Sequence, residues 1–239
     1  MEEKELKTSL KQRIIISLIA VVMVGSILAS YAAIVINGNK GSSGTESKIS
    51  EEKIQQYSDE YSEKLAAFKK VSASDFTKFI KYKSAVKAYN ETTANTGGVQ
   101  TKDLATGSGR TLADGDTNYL AYYIGWCADE TIFDSSLDST TDPTAFDKAL
   151  DASLGMIEGW NAGVVGMKLG GVREVMVPGE LAYGSSMEIC GGYNKPLKFL
   201  VMAVENVDPL KTAAAELDKA YLKLQYAYYG IDYEEVYGK

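Results

Sequence analysis

Apolar and polar residues follow three successive patterns along the chain. The first is an uncharged apolar run from Ile14 to Ile36, and the second is a stretch with apolar residues at helical spacing up to about residue 97. The third begins near Val99, where short β-prone segments are separated by turn residues. These patterns predict a membrane-spanning segment, a helical region and a sheet-containing domain, in that order.

The apolar run has the length of a membrane span. As a helix, its 23 residues would extend about 34 Å, enough to cross a hydrocarbon core of about 30 Å. Basic residues are concentrated before it: Lys4, Lys7, Lys11 and Arg13. The positive-inside rule therefore predicts a cytoplasmic tail (1–13), a single-pass anchor (14–36) in the cell membrane, a flexible Gly/Ser-rich linker (37–49) and an extracytoplasmic remainder. Cleavage near Ser30-Tyr31-Ala32, as in a signal peptide, is the alternative.

Helices are predicted on both sides of the β-prone region. Ser50, followed by two glutamates, is a typical helix start, and a second helix is predicted near Ser72 or Ser74, within a helical segment of residues 50–97. Residues 209–239 are predicted to form a C-terminal helix and tail. The pattern leaves open whether these helices form a stalk, a surface for unfolded clients or a dimer interface.

Residues 98–208 have the pattern of an α+β domain. Strands are predicted over Val99–Ala105, Tyr119–Trp126, Val172–Val177 and Leu197–Val207. One short helix is predicted over Trp160–Leu169. Because no regular alternation of strands and helices is present, we predict an antiparallel β-sheet wrapped around that single helix.

Composition excludes several kinds of chemistry. The chain of 239 residues contains no histidine, which excludes a Ser-His-Asp triad, a Cys-His dyad and a histidine-ligated metal. Two cysteines are too few for a four-thiolate zinc site, and a net charge of −7 argues against nucleic acid as a partner. Carboxylates, hydroxyls, aromatic side chains and backbone dipoles remain as candidates.

Four groups of residues in the β-prone region stand out together. They are Gly107-Ser-Gly109 with Asp114-Gly-Asp116, Tyr123-Ile-Gly125 with Phe133-Asp-Ser-Ser136, Leu154-Gly-Met-Ile-Glu-Gly-Trp160 with Gly163-Val-Val-Gly-Met167, and Val177-Pro-Gly-Glu-Leu-Ala-Tyr-Gly184. Their order and spacing resemble the FKBP-type peptidyl-prolyl cis-trans isomerases over about residues 98–208. The resemblance implies an FKBP-like fold, rotation of Xaa-Pro bonds and no cofactor or metal. Gly107-Ser-Gly109 is interpreted as a turn and not a phosphate loop, because no Gly-Lys follows.

The resemblance also implies a proline-binding pocket. Its catalytic set would be Tyr123, Phe133, Asp134, Trp160, Tyr183 and Phe199. Its substrate-binding set would be Met156, Ile157 and Phe146. Trp160 would form the floor, Tyr183 would offer its hydroxyl to the substrate carbonyl, and Asp134 would orient polar contacts without removing a proton. Macrolide inhibitors would occupy the same pocket. Taken singly, each aromatic residue is equally typical of an ordinary core.

The loop over residues 184–196 departs from the family pattern. It lacks the usual Ile-Pro-Pro segment, keeps only Pro196, and offers Ile189 as a replacement apolar contact. Cys190 lies on this loop and Cys127 follows a predicted strand, so a disulfide that pins the loop is one hypothesis. Two separate buried thiols are the alternative.

The function expected from these features is isomerisation of Xaa-Pro bonds in unfolded or exported polypeptides, which would assist their folding. The predicted partners are such polypeptides and the lipid bilayer. One alternative is a proline-peptide-binding chaperone, a holdase with little or no isomerase activity. Another is a structural envelope protein that uses the domain only for docking.

Overall fold

Residues 49–238 are described here from a computed structural model of the chain. The predicted tail, the predicted anchor and all but the last residue of the predicted linker lie outside the described residues, as does Lys239. Between residues 49 and 238, no helix has both the length and the apolar character required for a membrane span.

The described residues form helices at both ends and a sheet between them. The helices are α1 (Glu51–Phe79), α2 (Glu91–Thr96), α3 (Glu158–Val164), α4 (Leu210–Tyr228) and α5 (Tyr233–Tyr237). The strands are β1 (Gln100–Ala105), β2 (Tyr119–Trp126), β3 (Ile132–Ser135), β4 (Leu150–Asp151), β5 (Val172–Val177) and β6 (Leu197–Glu205). Single 3₁₀ segments cover Ile80–Ala85, Ala152–Leu154 and Gly179–Leu181. The four predicted strands are confirmed, with β2 and β5 matching at both ends.

The strands make one antiparallel sheet in the order β1-β5-β6-β2-β3, with β4 also paired to β2. This confirms the predicted α+β class and antiparallel sheet. Every residue of β2 is buried, although its side chains alternate between the two faces. Tyr122 belongs to one apolar cluster and Tyr123 to another, so both faces of the sheet are covered.

Helix α3 covers the inner face of the sheet and packs unusually close to β5. A Cβ atom on Gly159 would lie 2.2 Å from Val177 Cγ1, and one on Gly163 would lie 2.3 Å from Val175 Cγ1. These two glycines share one face of the helix, so the helix can rest directly on the valines of β5. The predicted helix over Trp160–Leu169 begins two residues earlier and ends at Val164.

Arg173 ties the end of α3 to the sheet. Its guanidinium donates hydrogen bonds to the carbonyls of Gly163 and Val165 at 3.0 and 2.9 Å, and it forms a two-pronged ion pair with Asp103 on β1. The buried guanidinium thus satisfies carbonyls that the helix end leaves without partners.

Helices α1 and α4 pack against each other and cover the outer face of the sheet. Phe68 and Phe79 of α1 and Leu217 of α4 belong to the same buried cluster as Tyr122 and Met202 of the sheet. The flanking helices therefore share a core with the sheet. Their contribution to that core follows from the apolar spacing, which requires an apolar partner surface.

The prediction of a second helix beginning near Ser72 or Ser74 is wrong, because α1 continues without a break to Phe79. Serine hydroxyls cap helix starts, but they also bond back to a carbonyl one turn earlier. Ser72 does the latter: its hydroxyl donates to the Phe68 carbonyl at 2.9 Å inside the buried interface.

Candidate active site

Aromatic side chains cluster between α3 and the inner face of the sheet, at the place where the family resemblance predicts a proline-binding hollow. The ring of Trp160 meets the rings of Tyr123 and Phe199 edge-on, with centroids 5.8 and 5.5 Å apart. Phe133 meets Phe199 in the same manner at 5.7 Å. The sequence-predicted aromatic residues on β2, β3, β6 and α3 are therefore brought together.

The backbone at Gly125 allows two of these rings to converge. Gly125 pairs with Asp134 on β3 and with Phe199 on β6. A Cβ atom at this position would lie 2.6 Å from Phe133 Cζ and 3.0 Å from Phe199 Cε1. Any side chain at residue 125 would push these rings apart, which explains the glycine after the Tyr-Ile pair.

A carboxylate with both oxygens engaged lies at the edge of the hollow. Oδ2 of Asp134 accepts a hydrogen bond from the Tyr123 hydroxyl. Oδ1 of Asp134 forms an ion pair with Lys148, with Nζ at 2.7 Å. Lys148 also lies 5.8 Å from the centroid of the Tyr123 ring. With both oxygens occupied, Asp134 holds the Tyr123 hydroxyl and Lys148 in place.

Lys148 was not identified from the sequence. It follows Asp134 by fourteen positions, and no spacing rule links the two residues. The contact arises because the chain between them folds back: Leu137 bridges to Phe146, and the Asp147 backbone N–H donates to the Ser136 carbonyl at 3.0 Å. A lone lysine in a polar loop carries no signal that would distinguish it from a solvated one.

Two hydrogen-bond donors at the hollow have no acceptor among residues 49–238. They are the Tyr183 hydroxyl and the backbone N–H of Ile157, the residue that precedes α3. Burial, with the Asp134 charge nearby, raises the pKa of Tyr183 to about 12. Tyr183 is therefore a neutral O–H donor at physiological pH. Met156 and Ile157, which the resemblance assigns to substrate binding, pack at the margin of the same cluster.

Phe146 does not line the hollow, and its assignment to the wall is wrong. Its side chain is fully buried on the outer face, where its ring stacks on Tyr122 with centroids 3.9 Å apart. Phe76 and Phe79 of α1 contact the same ring. The bridge between Leu137 and Phe146 sets this side, since neighbouring residues of an extended chain point to opposite faces.

The loop over residues 184–196 is tied to the strand that carries Tyr123. Cys127 and Cys190 form a disulfide with Cα atoms 5.5 Å apart, which confirms the hypothesis of a pinned loop. Ile189 packs against the cluster around Trp160, next to the disulfide. The other end of the loop is held where the Tyr89 hydroxyl donates to the Pro196 carbonyl at 2.8 Å.

The Gly107-Ser-Gly109 segment packs against the chain that follows α3. A Cβ atom on Gly107 would lie 2.1 Å from the Leu169 carbonyl oxygen, so this bent segment leaves no room for a side chain at residue 107. Within residues 49–238, no cluster of acidic or cysteine side chains has an arrangement that could hold a metal ion.

Known proteins resemble this chain over the part that contains the hollow. The family described as FKBP-type peptidyl-prolyl cis-trans isomerase matches residues 109–205. An FK506-binding protein of Neisseria meningitidis serogroup B is 36% identical over 112 residues, which are 46% of this chain and 94% of the relative. FK506-binding protein 4 of Dictyostelium discoideum is 38% identical over 89 residues, which are 37% of this chain and 22% of that protein.

Two solved structures are also similar to this chain, at lower sequence identity. FkpA from Escherichia coli is 23% identical, with 75% of this chain and 80% of FkpA covered and a TM-score of 0.36. A peptidyl-prolyl cis-trans isomerase from Pseudomonas syringae is 22% identical, with 56% of this chain and 93% of that protein covered and a TM-score of 0.34.

Proposed function

Because the chain belongs to the family of FKBP-type peptidyl-prolyl cis-trans isomerases and is an isomerase of Xaa-Pro bonds, we propose that exported polypeptides are its substrates and that the aromatic hollow is its active site. The observation that carries the site is the convergence of Tyr123, Trp160 and Phe199 at centroid distances of 5.5 to 5.8 Å. Phe133 extends the same wall.

The chemistry requires no nucleophile. Rotation of an Xaa-Pro bond crosses a barrier of ~18–20 kcal/mol and takes tens to hundreds of seconds without a catalyst. A roughly 10⁴-fold acceleration corresponds to ~5.4 kcal/mol of preferential binding of the transition state. The twisted amide has lost its resonance and is less polar across the C–N bond than the planar amide. An apolar aromatic pocket therefore favours the twisted form over water.

Fixed donors complete the proposed mechanism. The Tyr183 hydroxyl and the Ile157 backbone N–H would donate to carbonyl oxygens of a bound peptide. Donors held in place before the reaction stabilise the rotated carbonyl without reorganisation. Asp134 contributes indirectly, because its ion pair with Lys148 and its bond to Tyr123 keep the wall in position.

The proposed location is the outer face of the cell membrane, with residues 14–36 as the anchor. The support is the uncharged run of 23 residues preceded by basic residues. The disulfide between Cys127 and Cys190 also fits a compartment outside the cytoplasm, where disulfides persist. Exported chains would then meet the enzyme as they emerge and before they fold.

Macrolides are proposed as inhibitors of the same site. The meningococcal relative is named for binding FK506, and it aligns with 46% of this chain. A rigid apolar ring system would bury itself against the indole of Trp160 as a prolyl ring does. FK506 is therefore expected to compete with the peptide substrate.

Isomerase assays on the purified full chain test the site. Trp160→Leu removes the floor and Asp134→Asn removes the charge that holds Lys148, so each should lower kcat/KM for an Xaa-Pro peptide by roughly tenfold or more. Asp114→Asn, on an exposed turn residue, is the matched control and should leave the rate unchanged. Wild-type rates in both variants would reject the assignment. Suppression of client aggregation without isomerisation by the wild-type chain would favour the holdase instead.

A further inference from the structure

The indole of Trp160 has a buried hydrogen-bond partner on the first residue of β2. Nε1 of Trp160 donates to the Tyr119 hydroxyl at 3.0 Å. Both residues are almost completely shielded from solvent, with 1% of Tyr119 and 3% of Trp160 exposed. Tyr119 lies on the same face of the strand as Tyr123, two side chains along.

The other contacts of this indole do not fix its rotation as strictly. Tyr123 and Phe199 meet it through ring edges at 5.8 and 5.5 Å, an arrangement that tolerates tilting. The indole N–H can donate a hydrogen bond but cannot accept one, so in a buried site it points to the nearest acceptor. Tyr119 provides that acceptor, and the strand fixes its position.

We propose that Tyr119 is a positioning residue for the isomerase reaction: its hydroxyl holds the indole plane of Trp160 in the orientation on which the prolyl ring turns. This role rests on the function proposed above. Tyr119 is a positioning residue and not a substrate contact, since it is 1% exposed and its hydroxyl accepts from Nε1 of Trp160. It acts on the twisted amide through the shape of the floor, so its loss should appear in kcat more than in KM.

The strand offers a matched control for this role. Tyr122 is also a buried tyrosine of β2, but it points to the outer face, and its hydroxyl has no hydrogen-bond partner among residues 49–238. Tyr119→Phe and Tyr122→Phe each remove one buried hydroxyl from the same strand. Only the first removes the acceptor of the Trp160 indole.

The experiment combines kinetics with NMR on the full chain. For Tyr119→Phe we expect kcat to fall roughly fivefold, the size of effect that loss of one hydrogen bond produces, with KM nearly unchanged. The indole Nε1–H resonance of Trp160 should move, and Trp126→Phe identifies which of the two indole signals it is. Tyr122→Phe should leave kcat and both resonances unchanged.

A double-mutant cycle separates positioning from general loss of structure. If Tyr119 acts through the indole N–H, Tyr119→Phe should have no further effect on kcat in a Trp160→Phe background. Equal losses in both backgrounds, or an unshifted resonance, would overturn the role. So would wild-type kcat in Tyr119→Phe beside an active wild-type chain. An inactive wild-type chain would instead overturn the proposed function, and this role with it.

Discussion

At the scale of single residues, the hollow depends on side chains whose polar atoms are already engaged. Asp134 is bound on both oxygens, and the Trp160 indole is bound to Tyr119. What remains free is Tyr183, whose hydroxyl keeps its proton because burial and a nearby carboxylate raise its pKa to about 12. A site that lowers a barrier by shape and fixed dipoles should be organised in this way.

Asp147 is a half-buried residue with one shielded carboxylate oxygen. Its Oδ1 has no hydrogen-bond partner among residues 49–238. Burial raises the pKa of Asp147 to about 7, against the opposing charge of Lys148 and with a further contribution from Asp138. The folded chain therefore holds this proton more tightly than the unfolded chain. The stabilisation that this bound proton gives the folded chain is complete below the ordinary carboxyl pKa and is lost as the pH rises through about 7.

Asp147→Asn should therefore change how stability depends on pH. At pH 4 the variant and the wild type should have nearly equal free energies of unfolding. At pH 8 the variant should be more stable by about 2 kcal/mol. This is about half of the free energy that corresponds to the full rise of the Asp147 pKa to about 7. Urea unfolding at both pH values measures the difference, with Asp114→Asn as the exposed control. A difference that stays constant between pH 4 and pH 8 would show that Asp147 is not the titrating group.

At the scale of elements, periodicity identified four of the six strands in the described residues and the helical regions on both sides of the sheet, but not the contacts that give them their roles. The resemblance to the FKBP family placed Tyr123 and Phe199 in one pocket, and the pairing of β2 with β6 puts both side chains in the same cluster. Phe146 could not be placed, because its side depends on one bridge to Leu137. Strands as short as β4, two residues long, show no periodicity at all.

The disulfide connects a loop to a strand, and the sequence left open whether the two cysteines pair or remain separate thiols. It joins residues separated by 63 positions and ties the loop that carries Ile189 to the end of β2. Two isolated cysteines have no spacing rule of their own, so only the fold shows that they meet. The loop over 184–196 depends on this tie and on the Tyr89 bond to the Pro196 carbonyl for its position.

Replacing both cysteines should therefore weaken substrate binding as well as stability. For Cys127→Ser with Cys190→Ser we expect KM for an Xaa-Pro peptide to rise, because the freed loop withdraws Ile189 from the pocket margin. The free energy of unfolding should fall by about 2–4 kcal/mol, the usual contribution of a disulfide. The wild-type chain under reducing conditions provides the comparison and should behave like the double variant. An unchanged KM in both would mean that the loop does not contribute to the site.

At the scale of the whole described unit, the sheet is the middle layer of three. Helix α3 covers one face, and α1 with α4 covers the other, with Phe68, Phe146 and Leu217 among the residues buried between them. The sequence predicted these helices but left their partner open, because an apolar stripe indicates burial without naming the surface that buries it. All residues of β2 are buried, whereas a strand covered on one face would alternate between buried and exposed residues. Both faces of the sheet are therefore covered.

This layering predicts that the isomerase segment does not stand alone. Residues 98–208 without the helices would expose Tyr122, Leu200 and Met202, which are fully buried in the intact sheet. Exposure of that face costs roughly 25 cal/mol for each square ångström of apolar surface, and a contiguous patch of this kind promotes aggregation. We expect the 98–208 fragment to be unfolded or aggregated and the 49–239 fragment to unfold in one cooperative transition. Urea denaturation followed by far-UV circular dichroism, with light scattering, compares the two. A monomeric 98–208 fragment with full isomerase activity and a cooperative transition would show that α1 and α4 are accessories to a self-sufficient sheet.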